Sequence, residues 1–314
     1  MSVKRGANPA GQIQKTVTRR DFLRGTTLGA ASLAFGVPVA AKTFQELRAT
    51  YPVAQTARVV LVRDADVLNS HGECNPEVLA RMLDEAVTAL FDTDDVAAAW
   101  QQIFKPEDVL GIKSNVWPPL PTPPELEKTL HQRALDAGIP DAKISIADRG
   151  ILDDPVFQKA TALINARPLR THHWSGIGGC LKNYIMFVRE PWQWHDDACA
   201  DLGGLWHLPV CRGKTRLNVL VVLTPLFHGI GPHHYDPQYV WPYKGLLVGT
   251  DPVALDAIGV KLLAEKRQRF FDRPPRGGTS SQHVQLAETR HGVGVADLDR
   301  IEIVRLGWLD GALI

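Results

Sequence analysis

The chain predicts an α/β protein: one mainly parallel sheet, covered by helices on both faces, in a single elaborated domain. Three observations carry this. Short β-branched runs alternate with amphipathic helical stretches over residues 57–306, the order that builds parallel sheets. The run Leu217-Asn218-Val219-Leu220-Val221-Val222-Leu223 is almost continuously apolar, as a strand covered on both faces must be. Helix starts are punctuated by Asn75-Pro76, Thr122-Pro123 and Asp251-Pro252, each a capping side chain followed by proline.

In chain order, Arg58-Val59-Val60-Leu61-Val62 reads as the first strand. After Asn75-Pro76, residues Val78, Leu79, Met82, Leu83, Ala86, Val87 and Leu90 recur at helical spacing. A second helix spans 94–104. Val109-Leu110-Gly111-Ile112 is a strand that runs into Lys113-Ser114-Asn115. The helix opened by Thr122-Pro123 stops near Gly138. Ile144-Ser145-Ile146-Ala147 is a strand that exits at Asp148-Arg149. The pattern then predicts a helix over 155–165 and a weak strand over 169–171, entering His172. Residues 182–208 carry Trp192, Trp194 and Trp206 and read as partly helical. Leu246-Leu247-Val248 is a further strand, followed by a helix to about 264. A loop rich in Arg, Pro and Gly covers 270–281. A helix over 282–290 and a strand over 300–306 close the chain.

The 314 residues are 45% hydrophobic and 22% charged, with a formal net charge of +1. This is ordinary globular composition. Without a basic stripe or charged tail, a nucleic-acid partner is not expected. Thr18-Arg19-Arg20-Asp21-Phe22-Leu23-Arg24 precedes a weakly apolar run over 25–39 and the small residues Val39-Ala40-Ala41. This order resembles a twin-arginine export signal, cleaved after Ala41, with the domain following over 42–314. The expected partner is the twin-arginine export machinery, and the expected location is the periplasm or another exported compartment. The run is too short and Gly-rich for a good membrane span, so no permanent transmembrane span should remain after cleavage. Residues 1–41 hold six Lys or Arg and one acid. The mature chain therefore has 29 basic and 33 acidic residues, a net charge of −4.

Four cysteines, Cys74, Cys180, Cys199 and Cys211, show no C-x-x-C spacing. A protein-bound iron–sulfur cluster is therefore not expected. In an oxidising compartment Cys199 and Cys211 are the pair able to bridge, with buried free thiols as the alternative.

The stretch His172-His173-Trp174-Ser175-Gly176-Ile177-Gly178-Gly179-Cys180-Leu181-Lys182-Asn183 concentrates imidazole, ammonium, amide and thiol groups among glycines. Glycines admit close backbone approach to a ligand. In open α/β sheets, ligands sit beyond the carboxyl ends of strands. Those ends supply Lys113 and Asn115, Asp148, His172 and Asp251. Lys113, Asn115, Asp148, Asn183 and Asp251 are the candidate ligand-binding residues, and His172 and Lys182 the candidate catalytic pair. Asp251 also reads as a helix cap. A second cluster, His228, His233 and His234 with Asp236, offers donors suited to a transition metal. Solvated loop histidines are the alternative. Neither a Rossmann fingerprint nor a Walker sequence is present.

Three motifs in order resemble the family called domain of unknown function 362. They are Val109-Leu110-Gly111-Ile112-Lys113-Ser114-Asn115, the His172 stretch ending in Leu181-Lys182-Asn183, and Gly245-Leu246-Leu247-Val248-Gly249-Thr250-Asp251-Pro252-Val253-Ala254-Leu255-Asp256. Gly292-Val293-Gly294 and the tail over 297–304 resemble its C-terminus. The resemblance places His172, Gly176, Lys182 and Asn183 in the family's conserved slots. It implies no settled activity. Some members carry ferredoxin-like cysteine segments, which this chain lacks. Thr224-Pro225-Leu226-Phe227-His228 departs from the family, where an acidic residue is expected.

Two functions compete at this stage. One is an exported ligand-binding protein, or enzyme, acting on a small anionic substrate. Lys113, Lys182 and Arg149 would hold the anion and His172 would serve as acid–base. The other is a non-catalytic accessory protein that handles a metal or cofactor for exported redox enzymes.

Overall fold

A computed structural model describes residues 54–229, 235–272 and 280–314. The export signal, His233 and His234 lie outside them. The strands are β1 (Ala57–Arg63), β2 (Leu110–Lys113), β3 (Ile144–Ala147), β4 (Ala162–His172), β5 (Gly176–Gly178), β6 (Thr215–Leu226), β7 (Gly245–Gly249) and β8 (Ile301–Gly307). They form one sheet in the order β3-β2-β4-β6-β7-β1-β8, with β5 paired to β4. β2 is parallel to β3 and β4, β4 to β6, and β1 to β8. β7 is antiparallel to both its neighbours, and β5 is antiparallel to β4. The sheet is thus mixed but mainly parallel.

The helices are α1 (Pro76–Leu90), α2 (Val96–Ile103), α3 (Pro124–Asp136), α4 (Pro155–Lys159), α5 (Cys180–Asn183), α6 (Asp196–Cys199), α7 (Pro252–Phe270) and α8 (Gln282–Thr289). Helices α1, α2 and α3 cover one face of the sheet through Leu79, Leu83, Trp100, Leu126 and Leu130 against Val60, Ile112, Ile164 and Val219. Residues of α4, α5, α7 and α8 cover the other face through Phe157, Leu181, Leu255, Ile258 and Val284 against Leu163, Leu169 and Leu220. Two of the three helix starts form as the caps predict, and Thr122 instead accepts from the Asn115 amide. Asn75 accepts hydrogen bonds from the Glu77 and Val78 amides, and Asp251 from those of Val253 and Ala254. Pro124, not Pro123, is the first residue of α3.

One expectation fails clearly. The helix predicted over 155–165 ends at Lys159, and an eleven-residue strand runs from Ala162. The Thr161 amide donates to Val109 O at 2.9 Å, which turns the chain into the sheet beside β2. Residues 182–208 are short helical and 3-10 turns. All four cysteines are free thiols, so Cys199 and Cys211 are not bridged. No helix among the described residues is long and apolar enough to cross a membrane.

Candidate functional site

The α4–α5–α7–α8 face of the sheet carries polar side chains where strands normally present apolar ones. Lys113 ends β2 and sits opposite Asn165 of β4, which sits opposite Asn218 of β6. All three are wholly buried. They are tolerated because every polar head finds a partner. Asn165 Nδ2 donates to Asn218 Oδ1 at 3.0 Å and to Cys180 O at 3.1 Å. Asn183, from the end of α5, lies over this row. Its Nδ2 donates to Asn165 Oδ1 at 2.8 Å and to Lys113 O at 3.2 Å, and its Oδ1 accepts from Lys113 Nζ at 3.2 Å. Lys113 Nζ also donates to Asp148 Oδ1 at 2.5 Å and to Ser114 O at 2.7 Å. Three acceptors use the three protons of its ammonium. Burial nonetheless pulls Lys113 down to about 8, against the pull of Asp148 in the other direction.

Beyond this row the charge is unbalanced. Arg167 and Arg170 of β4 are buried, 3% and 5% exposed, and Lys182 is 3% exposed. With Lys113, four basic groups meet two buried carboxylates, Asp148 and Asp256. Arg167 Nε has no hydrogen-bond partner among the described residues. Arg170 Nε has none either, although its Nη1 donates to Asn115 Oδ1 at 3.0 Å and its guanidinium lies 4.2 Å from the Trp117 ring centre. Lys182 Nζ lies 2.9 Å from His195 Nε2 and 3.9 Å from Cys199 Sγ. Burial lowers Lys182 to about 7, and Arg167 and Arg170 add to the fall.

His172 ends β4. Its Nδ1 accepts from the amides of Trp174 and Ser175, at 3.3 and 3.4 Å, so the neutral ring carries its proton on Nε2. Burial, then Lys182, Arg167 and Arg170, holds the imidazole far below its ordinary range. The geometry suits a neutral donor rather than a proton shuttle. The rings of His172 and His195 are nearly parallel, 6.1 Å apart, and the Trp174 ring, 45% exposed, lies 4.4 Å from His195. His283 of α8 is wholly buried with no partner on either ring nitrogen among the described residues, and burial lowers it to about 3.

The glycines have specific reasons. A Cβ on Gly178 would stand 2.8 Å from Arg167 Nη2, and one on Gly179 would stand 2.1 Å from Asp256 Oδ1. Asp256, on α7, accepts from the amides of Cys180 and Leu181 at 2.6 and 2.9 Å. Burial raises it to about 7. Asp256 therefore anchors the start of α5, which carries Lys182 and Asn183. Residues Asp197, Ala198 and Cys199 all have positive φ, 48°, 50° and 64°. Non-glycine residues rarely adopt that backbone, and it puts the Cys199 thiol against Lys182.

Lys113, Asp148, Asn183, His172 and Lys182 thus belong to one buried region, with Asn115 joined to it through Arg170. Asp251 borders this region: Asn218 Nδ2 donates to the neighbouring Thr250 O at 3.1 Å, while the Asp251 carboxylate itself is used elsewhere. Because β7 is reversed, its end lies beside the start of β6, with Asn218 opposite Gly249. There Asp251 accepts from Val253, Ala254 and Val295 amides. Arg149 is exposed. His228 packs its ring on Tyr239 and Phe271, at 4.7 and 4.9 Å. Among the described residues no group of three His, Cys, Asp or Glu could hold a metal ion. Sequence reading missed Arg167, Arg170, His195, Cys199, Asp256 and His283. Asp256 alone left a signal, a carboxylate inside the apolar helical run Val253-Ala254-Leu255-Asp256-Ala257-Ile258.

Residues 139–261 match the family model described as Domain of unknown function (DUF362). No curated protein and no solved structure matches the chain. The DUF362 match runs from before β3 into α7. It includes Asp148, Arg167, Arg170, His172, Lys182, Asn183 and Asp256. Lys113, at the end of β2, and Asn115, just after it, precede the DUF362 segment, and His283 follows it.

Proposed function

We propose that this chain is an exported protein that binds a small anion among Arg167, Arg170, Lys182 and His172. The observation that carries the reading is the charge imbalance. Four buried basic groups face two carboxylates, and Arg167 Nε lacks an acceptor. Clustered cations in a low-dielectric interior repel one another. An anion removes that repulsion and supplies the missing acceptor, and a guanidinium fork matches a carboxylate or phosphate in geometry. His172 donates from Nε2 to the same ligand. Lys113 and Asn183 are framework, since their heads are used in holding β2, β4 and α5 together.

Export is part of the proposal and rests on the order Arg19-Arg20-Asp21-Phe22-Leu23 before an apolar run.

Thermal unfolding with small carboxylates, inorganic phosphate and sulfate tests the binding reading. A ligand at a hundred times its Kd should stabilise the fold by about 2.7 kcal/mol. Arg167→Met should abolish that stabilisation. Binding that survives this substitution, or no stabilisation by any of these anions, overturns the proposal.

A further inference from the structure

The position of Lys182 narrows the chemistry of the ligand. Its amine is buried near the guanidinium groups of Arg167 and Arg170, and it lies against a ring nitrogen and a thiol. Among the described residues no carboxylate pairs with it, in contrast to Lys113 and Asp148. A lysine placed beside other cations and away from water is held partly as the free amine, the form that attacks carbonyl carbon. The fall of Lys182 to about 7 agrees with that placement. Arg167 offers an unfilled N–H for a carboxylate, and His172 offers a neutral Nε2–H for a carbonyl oxygen.

We infer that Lys182 forms an imine with its ligand, and that the ligand is a small 2-oxo acid, with a carbonyl directly beside the carboxylate. The inference rests on the anion-binding reading above. In the step, the Nζ lone pair adds to the carbonyl carbon while His172 Nε2–H holds the developing oxyanion. His195 Nε2, 2.9 Å from Nζ, relays the two protons that the amine nitrogen loses, one after the other, to that oxygen: the first gives the carbinolamine hydroxyl and the second lets it depart as water. Water leaves, the C–O bond is broken and a C=N bond has formed. No oxidant or reductant is needed.

Borohydride trapping on the whole protein tests this, with pyruvate or glyoxylate as probe and peptide mapping by mass spectrometry as readout. The reduced adduct should fall on Lys182, in at least about tenfold excess over the exposed Lys159 and Lys261. Lys182→Arg should lose that adduct, and propionate, the carboxylate without a ketone, should stabilise the wild-type protein without labelling it. Acetone, a ketone without a charge, should label Lys182 far less than pyruvate does. An adduct confined to exposed lysines, or none, overturns the imine. If propionate still stabilises the protein in that case, anion binding stands alone. If propionate and both oxo acids leave stability unchanged as well, both readings fall.

Discussion

Lys113 and Lys182 are where single residues set the behaviour of the molecule. Each falls from an ordinary 10.5, to about 8 and about 7 respectively, mainly because burial disfavours the charged form. Across the window between those values and 10.5 the unfolded chain binds more protons than the folded one. Stability from these groups therefore rises with pH through that window, and below pH about 7 the cost of Lys182 is fully present. Buried Cys180 and Tyr184 are shifted upward by burial and act in the opposite sense at higher pH. The useful range is therefore pH about 7 to about 9. Wild-type melting temperature should climb faster across this range than that of Lys182→Met. A bound anion should reduce the difference, because it favours the ammonium. Parallel pH profiles of the two proteins would remove this account. None of this was legible beforehand. Lys182 stood out in the sequence as a polar residue near glycines, but its burial beside Arg167 depends on residues brought together by the fold.

At the scale of elements, two carboxylates of one helix do separate work. Asp251 caps α7 and also holds the Val295 amide at 2.8 Å. Asp251→Ala leaves three amides without an acceptor. The cost should be about 2 kcal/mol, more than a single lost cap. Urea unfolding measures it, and anion binding should be unchanged because the Asp251 carboxylate is taken up by the Val253, Ala254 and Val295 amides. Asp256, further along α7, holds the first two amides of α5. Gly179→Ala would drive a methyl group into that carboxylate and should cost about 1–3 kcal/mol. A wild-type urea midpoint for Gly179→Ala would mean the contact yields easily. The cap at Asp251 was readable from Asp-Pro alone, since capping is local. The grip of Asp256 on α5 was not, because its partners are 75 and 76 residues away in sequence.

For the whole molecule, the sheet is built so that its polar row sits under short helices. Lys113, Asn165 and Asn218 lie side by side across three strands, and α5 closes over them. The proposed export of a protein with such a preassembled interior is testable by replacing Arg19 and Arg20 together with Lys. The precursor should then stay in the cytoplasm, as fractionation and blotting would show. Normal export of the double variant would mean that the twin-arginine reading is mistaken.

The sequence by itself determined the alternation of strands and helices, the two-sided cover of the sheet and the capped starts of α1 and α7. These follow from apolar periodicity and from side chains bonding amides two or three residues away, both of which are local. It also singled out Lys113, Asn115, Asp148, His172, Lys182 and Asn183. Only the tertiary structure decided that β7 runs backwards, and that three amides take up the Asp251 carboxylate. It alone revealed β4 as a long strand, because Asn165, Arg167, Arg170 and His172 break the apolar run that marks a buried strand in a sequence. Their burial is sustained by contacts from α5, β2 and β6. A polar residue becomes a core residue only when distant partners satisfy it, and no short window of sequence contains those partners.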